Sequence, residues 1–152
     1  MRLTVYTDFS LRTLMYIALN PERRPTIAEI AQRYRISKNH LMKVVYDLGR
    51  AGYLETTRGR NGGLRLGCDP HEIRLGDVVR TTEPDMALVP CFELTGNDCA
   101  LLPECKLRTA LQQASAAFLE VLDSYTLADL VSNPGQLRAL LAENTEPEAA
   151  AG

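Results

Sequence analysis

No stretch of this sequence approaches the ~18 consecutive apolar residues that a membrane span requires. The opening segment, "MRLTVYTDFSLRTLMYIAL", is interrupted by Asp8 and Arg12. It has neither the apolar h-region nor the small-residue cleavage site of a secretory signal. Both absences lead us to expect a cytoplasmic protein with no membrane contact, in a compartment where thiols stay reduced. Catalytic groupings are missing too. There is no Ser/His/Asp set, no Gly-rich phosphate loop and no paired-histidine motif, and the chain has only two histidines. An enzyme is therefore not expected. No internal repeat is visible. Cysteine is scarce, at four residues, and none forms the closely spaced C-x2-4-C pair usual in structural zinc sites.

What is present is unevenly distributed. The 152 residues, 45% hydrophobic, suit one domain or a small domain with an appended arm. Residues 1–66 hold twelve Lys and Arg against five Asp and Glu, whereas residues 67–152 hold five against fourteen. A basic half beside an acidic half fits a nucleic-acid reader joined to a second unit, although drift of surface charge gives the same totals.

The pattern predicts a mostly α-helical protein with a small β-hairpin wing: a winged helix-turn-helix domain plus a long dimerisation helix. A first helix is expected over Asp8 to Leu19, with Thr7 as its cap. After the "NPERRP" loop, Thr26 and Glu29 read as a capping box for a second helix that buries Ile27, Ile30 and Ala31. Tyr34 to Ile36 make a turn. Ser37 is then placed to cap a third helix with Leu41, Val44, Val45 and Leu48 inward. Tyr53–Thr56 and Leu64–Leu66 read as strands around a Gly-rich tip. Asp69-Pro70 marks a single turn, and a short helix follows around Leu75–Thr81. Pro84–Pro103 reads as a loop. From Leu107 the residues Leu111, Ala114, Phe118, Val121 and Tyr125 follow at heptad spacing, a seam that calls for a partner helix. The chain has no second long helix, so self-association is the economical answer. The divisions are residues 1–83 for the DNA-binding domain, 84–105 for a cysteine-bearing loop, 106–142 for the dimerisation and C-terminal helices, and 143–152 for a disordered tail.

Helix, capped helix, turn and third helix make a helix-turn-helix pattern. The third helix opens with Ser37, Lys38, Asn39 and His40, with Lys43 one turn on; these groups can reach base edges and phosphates of double-stranded operator DNA. His40 could also ligate a metal, but its place in a reader helix fits a DNA-facing or structural role. Arg58, Arg60 and Asn61 mark the wing tip. Alone they would read as an ordinary solvated hairpin; directly after a helix-turn-helix they fit minor-groove insertion.

Cys91, Cys99 and Cys105 fall within fifteen residues as C-x7-C-x5-C. Incidental buried thiols are common, but a polar loop argues against burial, and a disulfide is disfavoured by compartment. Wide gaps that wrap the chain round a larger object suit an iron–sulfur cluster. Cys68, beyond the wing, is not read as a ligand.

The succession "LTVYTDFSLRTLMYIA", "SKNHLMKVV", "RGRNGGLRL", "GDVVR", three cysteines and "SYTLADLV" resembles the Rrf-type winged-helix regulators over residues 1–140, and among them the nitric-oxide-sensing NsrR branch. The resemblance implies a homodimer on palindromic operators and an iron–sulfur cluster on the three cysteines. It further implies repression of nitric-oxide detoxification genes, relieved when nitric oxide attacks the cluster. It also implies a fourth ligand at Asp8, which could instead simply stabilise its helix N-terminus. In the sister branch that regulates cluster assembly, a histidine three residues after the last cysteine is the ligand; here that position is Arg108. The gap of seven leaves [4Fe-4S] and [2Fe-2S] both open. A regulator of iron–sulfur or redox status, or a cluster-free thiol switch, remains the alternative.

Overall fold

The computed structural model describes residues 2–92 and 99–143. The rest of the tail expected to be disordered, from residue 144, lies outside the described residues. Helix α1 (Val5–Ala18) is followed by α2 (Ile27–Tyr34) and α3 (Lys38–Arg50). Strands β1 (Leu54–Thr57) and β2 (Gly63–Leu66) come next, then α4 (Leu75–Thr82). Two 3-10 turns, Pro90–Phe92 and Leu102–Glu104, precede α5 (Lys106–Asp123), α6 (Leu127–Leu130) and α7 (Pro134–Glu143). No helix among the described residues is long and apolar enough to cross a membrane.

Helix α1 starts three residues before its expected position. Thr4, not Thr7, is the N-cap: its extended backbone lets the side-chain oxygen accept from the Thr7 N–H. Glu83, just past α4, fixes that cap by accepting from the Thr4 N–H at 2.7 Å and its hydroxyl at 3.0 Å. Thr7 is itself buried. A partner seventy-nine positions away decides this boundary, and local sequence does not reveal it.

Thr26 does cap α2, accepting from the Glu29 N–H, but no capping box closes there. The Glu29 carboxylate turns instead to the Tyr16 hydroxyl (2.6 Å) and to both terminal nitrogens of Arg23 (2.5 and 2.9 Å). The Arg23 guanidinium outweighs partial burial and holds the Glu29 carboxyl below its usual range. A complete box occurs at α6, where Thr126 and Asp129 satisfy each other. Ser37 occupies the N-cap position of α3 without making a capping bond. At the α2 terminus Arg35 adopts a left-handed conformation (φ 53°), and the Ile36 N–H returns to the Ala31 carbonyl. This closure turns the chain sharply into α3.

The expected inward residues of α3 are buried, with Leu41, Val44 and Leu48 at 0% exposure, beside Leu14, Ile17, Ile30, Leu54 and Leu64. The strands pair antiparallel, Leu54 opposite Leu66 and Thr57 opposite Gly63. The hairpin is stitched to the loop before α2: the Leu64 N–H donates to the Pro25 carbonyl, and Arg24 donates to the Thr57 hydroxyl. A Cβ at Gly63 would lie 2.4 Å from the Arg24 carbonyl oxygen, so glycine is required for this approach.

The C-terminal part returns to the same core. Thr126 bridges Arg74, Leu75 and Leu127 donate to the Tyr125 and Ile73 carbonyls, and Leu127 is 1% exposed. Helix α5 packs against α4 through a close contact at Gly76, where Arg80 donates to both oxygens of Asp123 (2.7 and 2.6 Å). A Cβ on Gly76 would lie 1.8 Å from Asp123 Oδ1. Gly76→Ala should therefore lower the denaturation midpoint, since overpacking costs roughly 1–3 kcal/mol. In an Asp123→Ala background the same change should be neutral or stabilising, because alanine is the better helix former. Equal losses in both backgrounds would refute the steric account.

Candidate DNA interface and cysteine loop

The exposed face of α3 carries Lys38, Asn39, His40 and Lys43, and Ser37 is exposed at its start. Arg58, Arg60 and Asn61 are exposed at the hairpin tip. Sequence reasoning missed the continuation of the α3 face. Met42 (46% exposed) and Tyr46 (65% exposed) follow Lys38 at helical i, i+4 spacing, and the Arg50 guanidinium lies 5.9 Å from the Tyr46 ring centre. The four-residue repeat from Lys38 was the available signal.

This face is braced from behind by α1. The Tyr6 hydroxyl donates to Asp47 Oδ2 at 2.5 Å, and the Lys43 ammonium sits 5.8 Å from the Tyr6 ring centre. Burial, then the Asp47 bond and charge, push the Tyr6 hydroxyl's pKa well up, so it remains a donor. Beside this brace, Val5, Tyr6 and Phe9 of α1 and His40 and Lys43 of α3 line a mostly apolar cleft of about 270 Å³.

Asp8 lies in the first turn of α1 and is paired with Arg12 at 2.9 Å, both side chains 46% exposed. Such a pair contributes little stability, so its carboxylate can change partners at low cost. Cys91 is half-buried in the first 3-10 turn, Cys99 is exposed, and Cys105 is half-buried at the N-cap of α5. All three thiols are free. Residues 93–98, between the first two, lie outside the described residues. Among the described residues no three His, Cys, Asp or Glu side chains converge on one point, so Asp8 and the three cysteines are not gathered together. Cys68 borders a cleft with Arg65 and Pro70; burial, with Glu72 and Asp69 nearby, raises its pKa and keeps it a thiol.

The Rrf2 family, described as an iron-dependent transcriptional regulator, matches residues 3–133. This chain belongs to the Rrf2 family of transcriptional regulators. It is 53% identical to the HTH-type transcriptional regulator NsrR of Geobacillus kaustophilus, over 94% of this chain and 98% of that protein. It is 52% identical to NsrR of Bacillus subtilis, over 93% and 97%. Among solved structures, the cysteine regulator CymR of B. subtilis superposes with a TM-score of 0.71 at 29% identity, covering 87% of this chain and 97% of that one. The IscR structure from T. potens, at 22% identity, shows the same fold, with a TM-score of 0.73 over 91% of each chain. The mostly helical fold with its two-stranded hairpin is thus the fold of this family, and the relatives are regulators rather than enzymes.

An iron–sulfur cluster is the group implied by the resemblance. The donor chemistry fits it: three free thiols lie within one fifteen-residue stretch, the last at a helix N-terminus, where the backbone favours an anion. Arg108 Nε is also buried there without a hydrogen-bond partner among the described residues.

Tyr6→Phe would leave the partly buried Asp47 carboxylate without its donor. It should cost about 1–3 kcal/mol of stability and weaken operator binding through the position of α3. Unchanged chemical denaturation and unchanged DNA affinity together would show that the brace is idle.

Proposed function

We propose that this regulator is a cytoplasmic, homodimeric, iron–sulfur-containing repressor that releases operator DNA in response to nitric oxide. One observation carries the reading: both ends of the cysteine loop are anchored to elements that position the DNA reader. Glu83, the residue before the loop, holds the Thr4 cap of α1, four positions from Asp8. At its far end Cys105 caps α5, whose last residue Asp123 is locked to Arg80 of α4. A change in the loop is therefore felt at the start of α1 and along α5.

The seam of α5 supports dimerisation. Leu107 is 66% exposed and Val121 58%, Tyr125 just beyond the helix end is 49% exposed, and the helix has no fully buried residue. A row of large apolar side chains at heptad spacing is satisfied by a second copy of the same helix. A two-fold dimer would present two α3 helices to half-sites about one DNA turn, ~34 Å, apart. The wing arginines would then enter the narrow minor groove beside each half-site.

Cys91, Cys99 and Cys105 would hold the cluster, with Asp8 completing the set. Bound there, the cluster supplies iron that nitric oxide can attack. The chain's contribution is geometric: Asp8 ties α1 to the loop, and Tyr6 carries the position of α1 to α3. An oxygen ligand binds iron less firmly than a thiolate, and Arg12 stands ready to re-pair with the released carboxylate.

Anaerobic purification followed by nitric-oxide titration, monitored by absorption and operator binding together, is the direct test. A brown protein that loses DNA affinity as its spectrum changes is expected; a colourless protein that binds DNA regardless of nitric oxide would refute the reading. Asp8→Ala should change the rate or stoichiometry with which nitric oxide abolishes DNA binding, and an identical titration would remove Asp8 from the mechanism. Arg60→Ala should weaken operator binding uniformly and leave the cluster spectrum intact. Loss of the spectrum would place Arg60 elsewhere than on DNA.

A further inference from the structure

Arg108 stands one turn into α5, on the face that also carries Cys105, because positions three apart on a helix are neighbours. Its backbone N–H donates to Cys105 Sγ at 3.4 Å. Its side chain is half-buried. The Nε is the one buried side-chain nitrogen or oxygen without a hydrogen-bond partner among the described residues. Other arginines with a carboxylate in reach use it: Arg12 pairs with Asp8, Arg23 with Glu29, Arg65 with Glu55 and Arg80 with Asp123. Arg108 has no such pair among the described residues. A guanidinium offers five donors and no acceptor, and a buried charged donor without an acceptor is a standing destabilisation that folded proteins seldom keep.

We propose that Arg108 is the counter-cation of the anionic group carried by Cys91, Cys99 and Cys105, positioned and partly buried before that group arrives. This rests on the cluster reading given above and extends it to a residue outside the ligand set. A group on Cys105 would then meet two positive features of the first turn of α5, its N-terminal amides and the charge of Arg108. Thiolates and a carboxylate on iron leave a net negative charge, which such a spot holds well. The consequence is a difference in sign. Arg108 destabilises the empty protein and stabilises the loaded one, so loss of the group loosens the first turn of α5, where the dimer arm begins. Arg108 is a positioning residue and ligates nothing.

The test uses the full-length protein, kept anaerobic, before and after reconstitution with iron and sulfide. Arg108→Met keeps the length of the side chain without its charge, and Arg108→Lys keeps the charge. The Met variant should melt higher than wild type when empty and gain less on loading. At a fixed potential its loaded form should shift about tenfold toward the oxidised, less negative state, while the Lys variant stays near wild type. A loaded Met variant with the wild-type melting gain and the wild-type redox ratio would overturn the proposal and leave the cluster reading standing. Wild-type protein that takes up no cluster would overturn the cluster reading first and this inference with it. An empty Met variant that melts lower than wild type, fails to fold or dissociates more readily as a dimer would show that Arg108 finds its acceptor within the protein, which also overturns the proposal.

Discussion

The encirclement of α1 is the constraint from which the rest of the molecule is arranged. Thr7, Ser10, Thr13, Leu14, Tyr16 and Ile17 of this helix are all buried. Helix α3, helix α4, strand β2 and helix α6 all pack on it. A helix buried on so many sides turns only a narrow polar strip outward, at Asp8 and Arg12, and must bury several hydroxyls. Ser10 and Thr13 resolve the conflict by donating back to the Tyr6 and Phe9 carbonyls, at 2.8 and 2.7 Å. Small hydroxyl side chains thus let neighbours approach closely without leaving a buried donor unmet. Because one helix supports the DNA reader, the hairpin and the return of the C-terminal segment, its first turn can influence all three.

Much of the reader was legible from sequence because its signals are local. The inward residues of α3 follow from helical periodicity, and the hairpin follows from Asn61-Gly62-Gly63 between two apolar pairs. Errors fall where a distant residue overrides a local preference. Thr7 looks like a cap until Glu83 fixes Thr4 in that role. Glu29 looks like half of a capping box until Arg23 and Tyr16 claim its carboxylate. Helix α6 was not anticipated: it is a single turn, too short for periodicity to reveal, and the Thr126–Asp129 spacing was its one local signal. Of the candidate site, the charged face of α3 could be read directly; Met42 and Tyr46 were overlooked although the four-residue repeat from Lys38 reaches them, because apolar side chains on an exposed face look like core in a linear string. The cysteines could be found by their clustering. Arg108 could not, since its significance lies in an unmet hydrogen bond and not in its identity.

Two kinds of joint connect these parts. Some are apolar and tolerant, such as the cleft between α1 and α3. Others depend on a missing side chain. Gly63 lets the hairpin lie on the Arg24 backbone, and Gly76 lets Asp123 reach Arg80. These two glycines occupy different ends of the molecule yet serve one purpose. Each sets an element at a fixed separation from its neighbour, so the wing moves with the helix-turn-helix and α5 moves with α4. The links from the helix-turn-helix to the hairpin and from α4 to α5 are in this sense stiff.

Leu127 has a further consequence, which concerns the order in which the protein is made. It is almost wholly buried in the same core as α1, α3 and the hairpin, on an α6 that packs against α1, although more than sixty residues separate it from the hairpin along the chain. The core is therefore complete only after the cysteine loop and the whole of α5 have been synthesised. Nascent chains truncated before that point expose the apolar underside of α1. The complete core thus forms only on chains that already possess the cysteines and α5, and a DNA reader released by interrupted translation lacks part of its core.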